Sequence, residues 1–316
     1  MTDKKIIAVA GATGAQGGGL VRAILADPNG GFAVRALTRD PAAPAARALA
    51  AAGAEVVAAD LADPASVVRA FEGAYGAYCV TFFWNHMSPD RERAEARALA
   101  DAARAARLQH VVWSTLEDSR RFMDLDDPRM PTLMGHYKVP HFDVKGEADA
   151  YFRDSGVPTT CMLTSFYWDN LIHFGMGPKA GPDGKLVFAL PMGERKLPGI
   201  AAEDIGRCAY GLFMRPALHV GRTVGISGEH LSGREMAAAL SQALGREVVH
   251  QHVPFEVYRN LGFPGADDLG NMFQFNHDFA DDFREARSVE FSRSINPGLQ
   301  DFATWLKANV SRIPIG

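Results

Sequence analysis

Gly11-Ala12-Thr13-Gly14-Ala15-Gln16-Gly17 lies between a short apolar run and a helical stretch, where a glycine-rich turn can bind a phosphorylated ligand. A turn without Cβ atoms lets the backbone approach a pyrophosphate, and unpaired N–H groups at the helix N-terminus then meet the anion. The spacing is GxxGxxG, not the GxGxxG of ordinary dehydrogenases. It reads as a dinucleotide site; the alternative is a tight turn with no ligand. Arg39 follows 22 residues after Gly17, at the end of the second predicted strand. An acid at this point holds a ribose 2′-hydroxyl, whereas a guanidinium suits a 2′-phosphate, so NADP(H) is expected over NAD. Asp40 is the competing acid, but strand alternation turns its side chain away. Asp60-Leu61 ends the third predicted strand and offers an edge to the adenine ring or, alternatively, a cap before Pro64.

Acid–base chemistry on such a cofactor would fall to Ser114, His141 and Lys145. Short-chain reductases set a Tyr and a Lys four residues apart on one helix face, with a Ser ending strand five. Here Ser114 and Lys145 are present, but His141 stands where the Tyr is needed. His141 could donate a proton near neutrality, with Lys145 on the nicotinamide ribose. The preferred and simpler reading is that Lys145 only binds cofactor and His141 caps its helix after Pro140. Tyr137 misses the one-turn spacing. Phe82, Phe83 and Trp84, like Phe166-Tyr167-Trp168, would either wall the nicotinamide pocket or pack. His250 and His252 share a strand face without a third ligand, so no metal is expected.

The elements that position these residues follow from periodicity. Strands are predicted at Ile6–Ala10, Ala33–Thr38, Glu55–Ala59, Ala77–Phe83, His110–Ser114 and Thr159–Leu163. Helical stretches separate them, notably Gln16–Ala26, Ala42–Ala52, Pro89–Arg107 and His141–Asp154. This alternation is the signature of a doubly wound parallel α/β sheet, a Rossmann fold. Past Ser165 it fails: 175–198 is a Gly/Pro-rich loop with one hairpin, and a smaller, interleaved C-terminal α+β domain is expected. The boundaries are 1–166 for the nucleotide domain, with 199–228 returning to it, and 167–198 plus 229–316 for the smaller one.

Composition narrows the function. The 316 residues are 47% hydrophobic and 22% charged, with a net charge of −4. No clustered basic run exists to meet phosphate backbones or anionic lipids, so neither nucleic acid nor membrane is an expected partner. Neither a membrane span nor a signal-peptide core is found, and Cys79, Cys161 and Cys208 show no framework spacing; a cytoplasmic protein is expected. Of 49 alanines, 32 precede Gln109, which suits close helix-on-sheet packing.

The motifs GATGAQGG, Val80-Thr-Phe-Phe-Trp84, His141-Phe-Asp-Val-Lys-Gly-Glu147 and Tyr167-Trp-Asp-Asn-Leu171 resemble the NmrA-like branch of the atypical short-chain dehydrogenases. The stretch Tyr258 to Leu269, with Asn271-Met-Phe273, resembles the HSCARG subgroup. The resemblance implies a Rossmann domain that holds NADP(H) without clear turnover. It also implies a redox sensor, monomeric or homodimeric, whose protein partners respond to NADPH. By position it assigns Gly11 to Gly17, Arg39, Asp60, Leu61, Thr81, Phe82, Phe83, Lys145, Tyr167, Trp168, Asp169 and Asn170 to the cofactor. Ala43 stands where the subgroup has a second base after Arg39. Ala94 replaces a further lysine, with Arg93 and Arg97 as neighbouring substitutes. Related branches reduce quinones and small carbonyl compounds with a lysine equivalent to Lys145, so a reductase is the alternative to the sensor.

Overall fold

A computed structural model describes residues 4–181 and 184–315. Met1-Thr2-Asp3, read above for a leader, and Pro182-Asp183 of the Gly/Pro-rich loop lie outside the described residues. The elements in chain order begin with β1 (Lys5–Val9), α1 (Ala15–Ala26), β2 (Phe32–Thr38), α2 (Pro44–Ala51), β3 (Glu55–Ala58) and α3 (Pro64–Phe71). Next come β4 (Gly76–Cys79), α4 (Pro89–Ala105), β5 (His110–Thr115), α5 (Pro140–Asp154) and β6 (Thr159–Leu163). After them follow β7 (Phe166–Tyr167), α6 (Asn170–His173), β8 (Lys179–Ala180), β9 (Leu186–Ala189), β10 (Leu197–Ile200), α7 (Ala202–Met214), α8 (Pro216–His219) and β11 (Thr223–Gly225). The chain closes with β12 (Glu229–Leu231), α9 (Gly233–Leu244), β13 (Val248–Gln251), α10 (Phe255–Arg259), α11 (Ala266–Asp278), α12 (Ala280–Glu285), α13 (Val289–Ile295) and α14 (Phe302–Asn309).

The main sheet has the order β11-β6-β5-β4-β1-β2-β3, and the pairs from β6 through β3 are parallel. This is the doubly wound Rossmann order. Its winding reverses between β1 and β4, where the C-terminal strand ends open the crevice in which such sheets take ligands. Two three-stranded sheets, β12-β10-β7 and β13-β9-β8, complete the chain, and β8 with β9 forms the expected hairpin. The chain divides into two units. The first comprises residues up to Glu117, Val144–Thr164 and Glu203–Val224; the second comprises Asp118–Asp143, Ser165–Ala202 and Gly225–Gly316.

Small residues do in the first unit what their abundance suggests. Ala96, Ala100 and Ala103 of α4 are buried with Ala8, Ala77 and Val111 of the strands, beside Trp113 stacked on Phe152 at 4.5 Å. Where α1 meets α7, a Cβ on Gly206 would stand 2.1 Å from the Leu20 nitrogen, so no side chain fits there. The fourth strand is shorter than its predicted span: β4 stops at Cys79, and Phe83–Asn85 forms a 3₁₀ turn. Residues 118–143 carry no strand and group with the second unit, although the sequence boundaries leave them in the first. Within the second unit the buried Asp268, Asn271 and Gln274, spaced along one face of α11, hydrogen-bond this loop. Asn271 Nδ2 donates to the Pro131 and Lys138 carbonyls, and Gln274 Nε2 to that of Arg129.

His110, at the start of β5, is fully buried with Nε2 2.9 Å from Thr160 Oγ1, and burial pushes its pKa down to about 4. The unfolded chain therefore binds a proton below about pH 6.5 that the folded chain refuses until about pH 4. The resulting stabilisation is complete above pH 6.5 and is lost as pH falls through the window to 4. At most about 3 kcal/mol is at stake. In denaturant titrations at pH 7 and 4.5, His110→Asn is expected to remove most of that difference; an unchanged pH slope would show that His110 does not cause it.

Candidate functional site

The glycine loop leaves β1 at the β1/β4 reversal. Gly11 adopts φ +63°, and its carbonyl accepts from the Gly14 N–H at 2.8 Å, closing the turn that starts α1. Gly17 lies directly against this turn: a Cβ there would stand 2.4 Å from the Gly11 oxygen and 2.8 Å from that of Ala10. Thr13, Gly14 and Ala15 are exposed, Ala12 is buried, and no acid occupies the first turn of α1. An exposed helix N-terminus without a local anion is what a phosphate needs.

Because β2 pairs in parallel with β1, the end of β2 neighbours that loop. Arg39 is exposed there, and no hydrogen bond or ion pair engages it among the described residues. The Asp40 carboxylate accepts from the Ala42 N–H at 2.8 Å, which stabilises the turn. Arg47 of α2 reaches back to the Ala42 carbonyl at 2.6 Å, placing a second guanidinium on the same loop where Ala43 offers none. Asp60 accepts from the Ala62 N–H at 3.0 Å, and the cap of α3 is Asp63, not Asp60. Leu61 beside it is partly buried.

Beyond β4, Thr81 is buried and Phe82 is 49% exposed, while Phe83 is buried edge-on against Trp84 and His86. Lys145 of α5 donates to Thr81 Oγ1 at 2.7 Å and to the Thr81 carbonyl at 3.1 Å, and pairs with Glu92 Oε1 at 2.7 Å. Ser114 is not poised over open space: its hydroxyl donates to Gln16 Oε1 at 2.7 Å, and Tyr78 donates to the same oxygen. Gln16 thus ties the glycine loop to β4 and β5. Of the two proposed stand-ins for the missing lysine, Arg93 pairs with Asp90 and Glu147, and Arg97 stacks over Tyr151 at 4.0 Å.

In the second unit, His141 is buried at the start of α5, and Asp268 grips it twice. Asp268 Oδ1 accepts from Nδ1 at 2.7 Å and Oδ2 from the backbone N–H at 3.1 Å. The carboxylate caps the helix and fixes the ring tautomer, the arrangement that prepares an imidazole for proton transfer. Tyr167 lies in β7 opposite Ile200, and Asn170 opens α6. Trp168 is 1% exposed, packed on Phe302 and Trp305, and Asp169 accepts from the Ala202 N–H at 2.8 Å. These two therefore build the interior of their own unit. His250 and His252 bond to the backbone of Leu190 and Gly193. Sequence reasoning missed Glu92 and Asp268. Asp268 lies inside the Tyr258–Leu269 stretch singled out by resemblance, but nothing marked it as a partner of His141.

Comparison with known proteins agrees with this geometry. The model of the NmrA-like family matches residues 3–306. The NmrA-like family domain-containing oxidoreductase FrzB of Cladobotryum sp is 29% identical over 291 residues, covering 85% of this chain and 83% of its own. The NAD(P)H azoreductase of Xenophilus azovorans is 31% identical over 275 residues, covering 85% and 86%. Among solved structures, NmrA, described as a negative transcriptional regulator, in complex with NADP superimposes with a TM-score of 0.79. It is 25% identical, with 97% of this chain and 95% of that one covered. The same regulator has been solved with NAD. The chain belongs to the NmrA-like family, a family of NAD(P)-binding, oxidoreductase-like Rossmann proteins.

Proposed function

We propose that the protein binds NADP(H) in its first unit and acts as a redox sensor or regulator with little turnover, as in the HSCARG subgroup. The carrying observation is Arg39, a guanidinium at the end of β2 with no partner among the described residues, beside an Asp40 already engaged by Ala42. Low turnover is supported by Lys145, whose ammonium donates twice to Thr81 and is paired with Glu92, and by the Ser114 hydroxyl donated to Gln16. On this reading the first unit is the cofactor domain, and the second meets a protein partner or a second copy in the cytoplasm. The described residues include no helix long and apolar enough to cross a membrane.

A second reading, an NADPH-dependent reductase of a quinone or small carbonyl compound, is favoured by the His141–Asp268 pair. Four residues separate His141 from Lys145 in α5, and the azoreductase relative reduces its substrate with NAD(P)H. Incubation with NADPH and a panel of quinones, carbonyls and azo dyes separates the two. Binding by calorimetry with oxidation no faster than in the Lys145→Ala variant is expected. Rapid oxidation lost in Lys145→Ala and His141→Phe would establish the reductase, and absence of NADPH binding would overturn both readings.

A further inference from the structure

Glu92 of α4 is 0% exposed, although it lies in a run of charged residues. Its Oε1 accepts from Thr81 Oγ1 at 2.5 Å and meets the Lys145 ammonium at 2.7 Å, while Thr81 supplies the lysine with two further acceptors. An ammonium has three N–H donors. Two of them serve Thr81, and the charge is met by Glu92, so the ammonium is held within the protein and must loosen its hold on Glu92 or Thr81 to serve a ribose hydroxyl fully.

The other oxygen of Glu92 faces His86 Nε2 at 3.3 Å, and neither atom has a well-formed hydrogen bond. Glu95 Oε2 lies 3.8 Å from the same nitrogen. His86, Glu92 and Glu95 have the composition of a cation site, with their ligand-type atoms within 4.8 Å of one another. The hydrogen-bond pattern speaks against that use. His86 Nδ1 accepts from the Ser88 backbone N–H at 3.0 Å, and a backbone N–H can only donate. A neutral His86 must then carry its proton on Nε2, where a metal would need a lone pair. Burial holds His86 below the ordinary histidine range, so the ring stays neutral. Nor can His86 pass a proton through itself, because Nδ1 is occupied by that donor. It is a fixed N–H beside a buried carboxylate.

We propose that Glu92 is a positioning residue for Lys145: an internal counter-ion that, with Thr81, latches the ammonium until NADP(H) competes for it, and so sets the protein's affinity for the cofactor. The inference rests on the reading that NADP(H) binds in the first unit with Lys145 among its contacts. An anion at 2.7 Å in a buried setting is a strong competitor for any incoming hydroxyl, because the low local dielectric strengthens the pair. Replacing the carboxylate with a neutral amide of the same shape leaves the lysine its geometry and releases its charge.

The test is NADPH titration of wild type, Glu92→Gln, Glu92→Asp, Lys145→Met and the Glu92→Gln/Lys145→Met double variant. Glu92→Gln is expected to tighten NADPH by about fivefold or more, Glu92→Asp to return the Kd toward wild type, and the amide change to shift the Kd by less than about twofold once Lys145 is gone. An unchanged or weaker Kd in Glu92→Gln, or the same shift in both backgrounds, overturns the latch. A second arm needs no cofactor: acetylation of Lys145, followed by mass spectrometry, is expected to run at least about fivefold faster in Glu92→Gln. If Glu92→Gln does not fold, Thr81→Val is expected to give the same acceleration. Unchanged labelling overturns the latch, whereas a wild type that ignores NADPH but shows faster labelling in the variant overturns only the cofactor reading.

Discussion

Gly17→Ala is expected to weaken NADPH binding by more than about 100-fold, because a phosphate cradle built from main-chain groups fails when the turn is displaced. The new Cβ would stand 2.4 Å from the Gly11 oxygen, 2.7 Å from its carbonyl carbon and 2.8 Å from the Ala10 oxygen. All three are backbone atoms, so no side chain can rotate aside and the turn itself must move. Overpacking of this kind costs about 1–3 kcal/mol, a loss that thermal unfolding would register. Gly18→Ala is the control. Its Cβ would meet an Arg22 guanidinium nitrogen at 3.2 Å and the Ala12 oxygen at 3.3 Å, and the arginine can swing away. Calorimetric titration of both variants decides the matter. Binding by Gly17→Ala within about threefold of wild type would mean that this loop is not the phosphate cradle.

What could be read in advance divides along a physical line. The glycine loop, Arg39 and the first six strands were legible because their causes are local: a turn needs particular glycines, and a strand packed in a sheet needs an apolar run. Alanine enrichment likewise announced close packing, and α4 with Gly206 shows where it is used. The pairings that decide chemistry were not local. Glu92 sits in Pro89-Asp-Arg-Glu-Arg93, which has the pattern of a solvated helix face, and is buried because Lys145 arrives 53 positions later. Asp268 looks like an ordinary acid in the first turn of α11, yet its partner His141 lies 127 positions earlier. Ser114 illustrates the converse. Its place at the end of β5 suggested catalysis, but the carboxamide of Gln16 captures its hydroxyl. Residue type and strand position identified candidates; hydrogen-bond saturation decides which of them is available.

Saturation also frames the expectation for Arg39→Ala, which should weaken NADPH while leaving NADH within about twofold. The exposed guanidinium has no partner among the described residues, so its removal leaves no buried group there unsatisfied, and the effect belongs to the ligand. A charge-assisted contact to a 2′-phosphate is worth about 1.5–3 kcal/mol, or roughly 10- to 150-fold in Kd. The site is exposed, so the loss should shrink as salt is raised, because screening weakens the contact that the variant lacks. Arg47 sets the floor: held on the Ala42 carbonyl of the same loop, it retains a positive charge near the turn. Some NADPH binding should therefore survive in Arg39→Ala and fall further in the Arg39→Ala/Arg47→Ala pair. The single variant should not come to prefer NADH, because the Asp40 carboxylate that would hold a 2′-hydroxyl is engaged by the Ala42 N–H. Parallel titrations with both cofactors at low and high salt measure each of these effects. Equal losses for NADPH and NADH would show that Arg39 does not touch the 2′-phosphate, and the NADP(H) assignment would lose its main support.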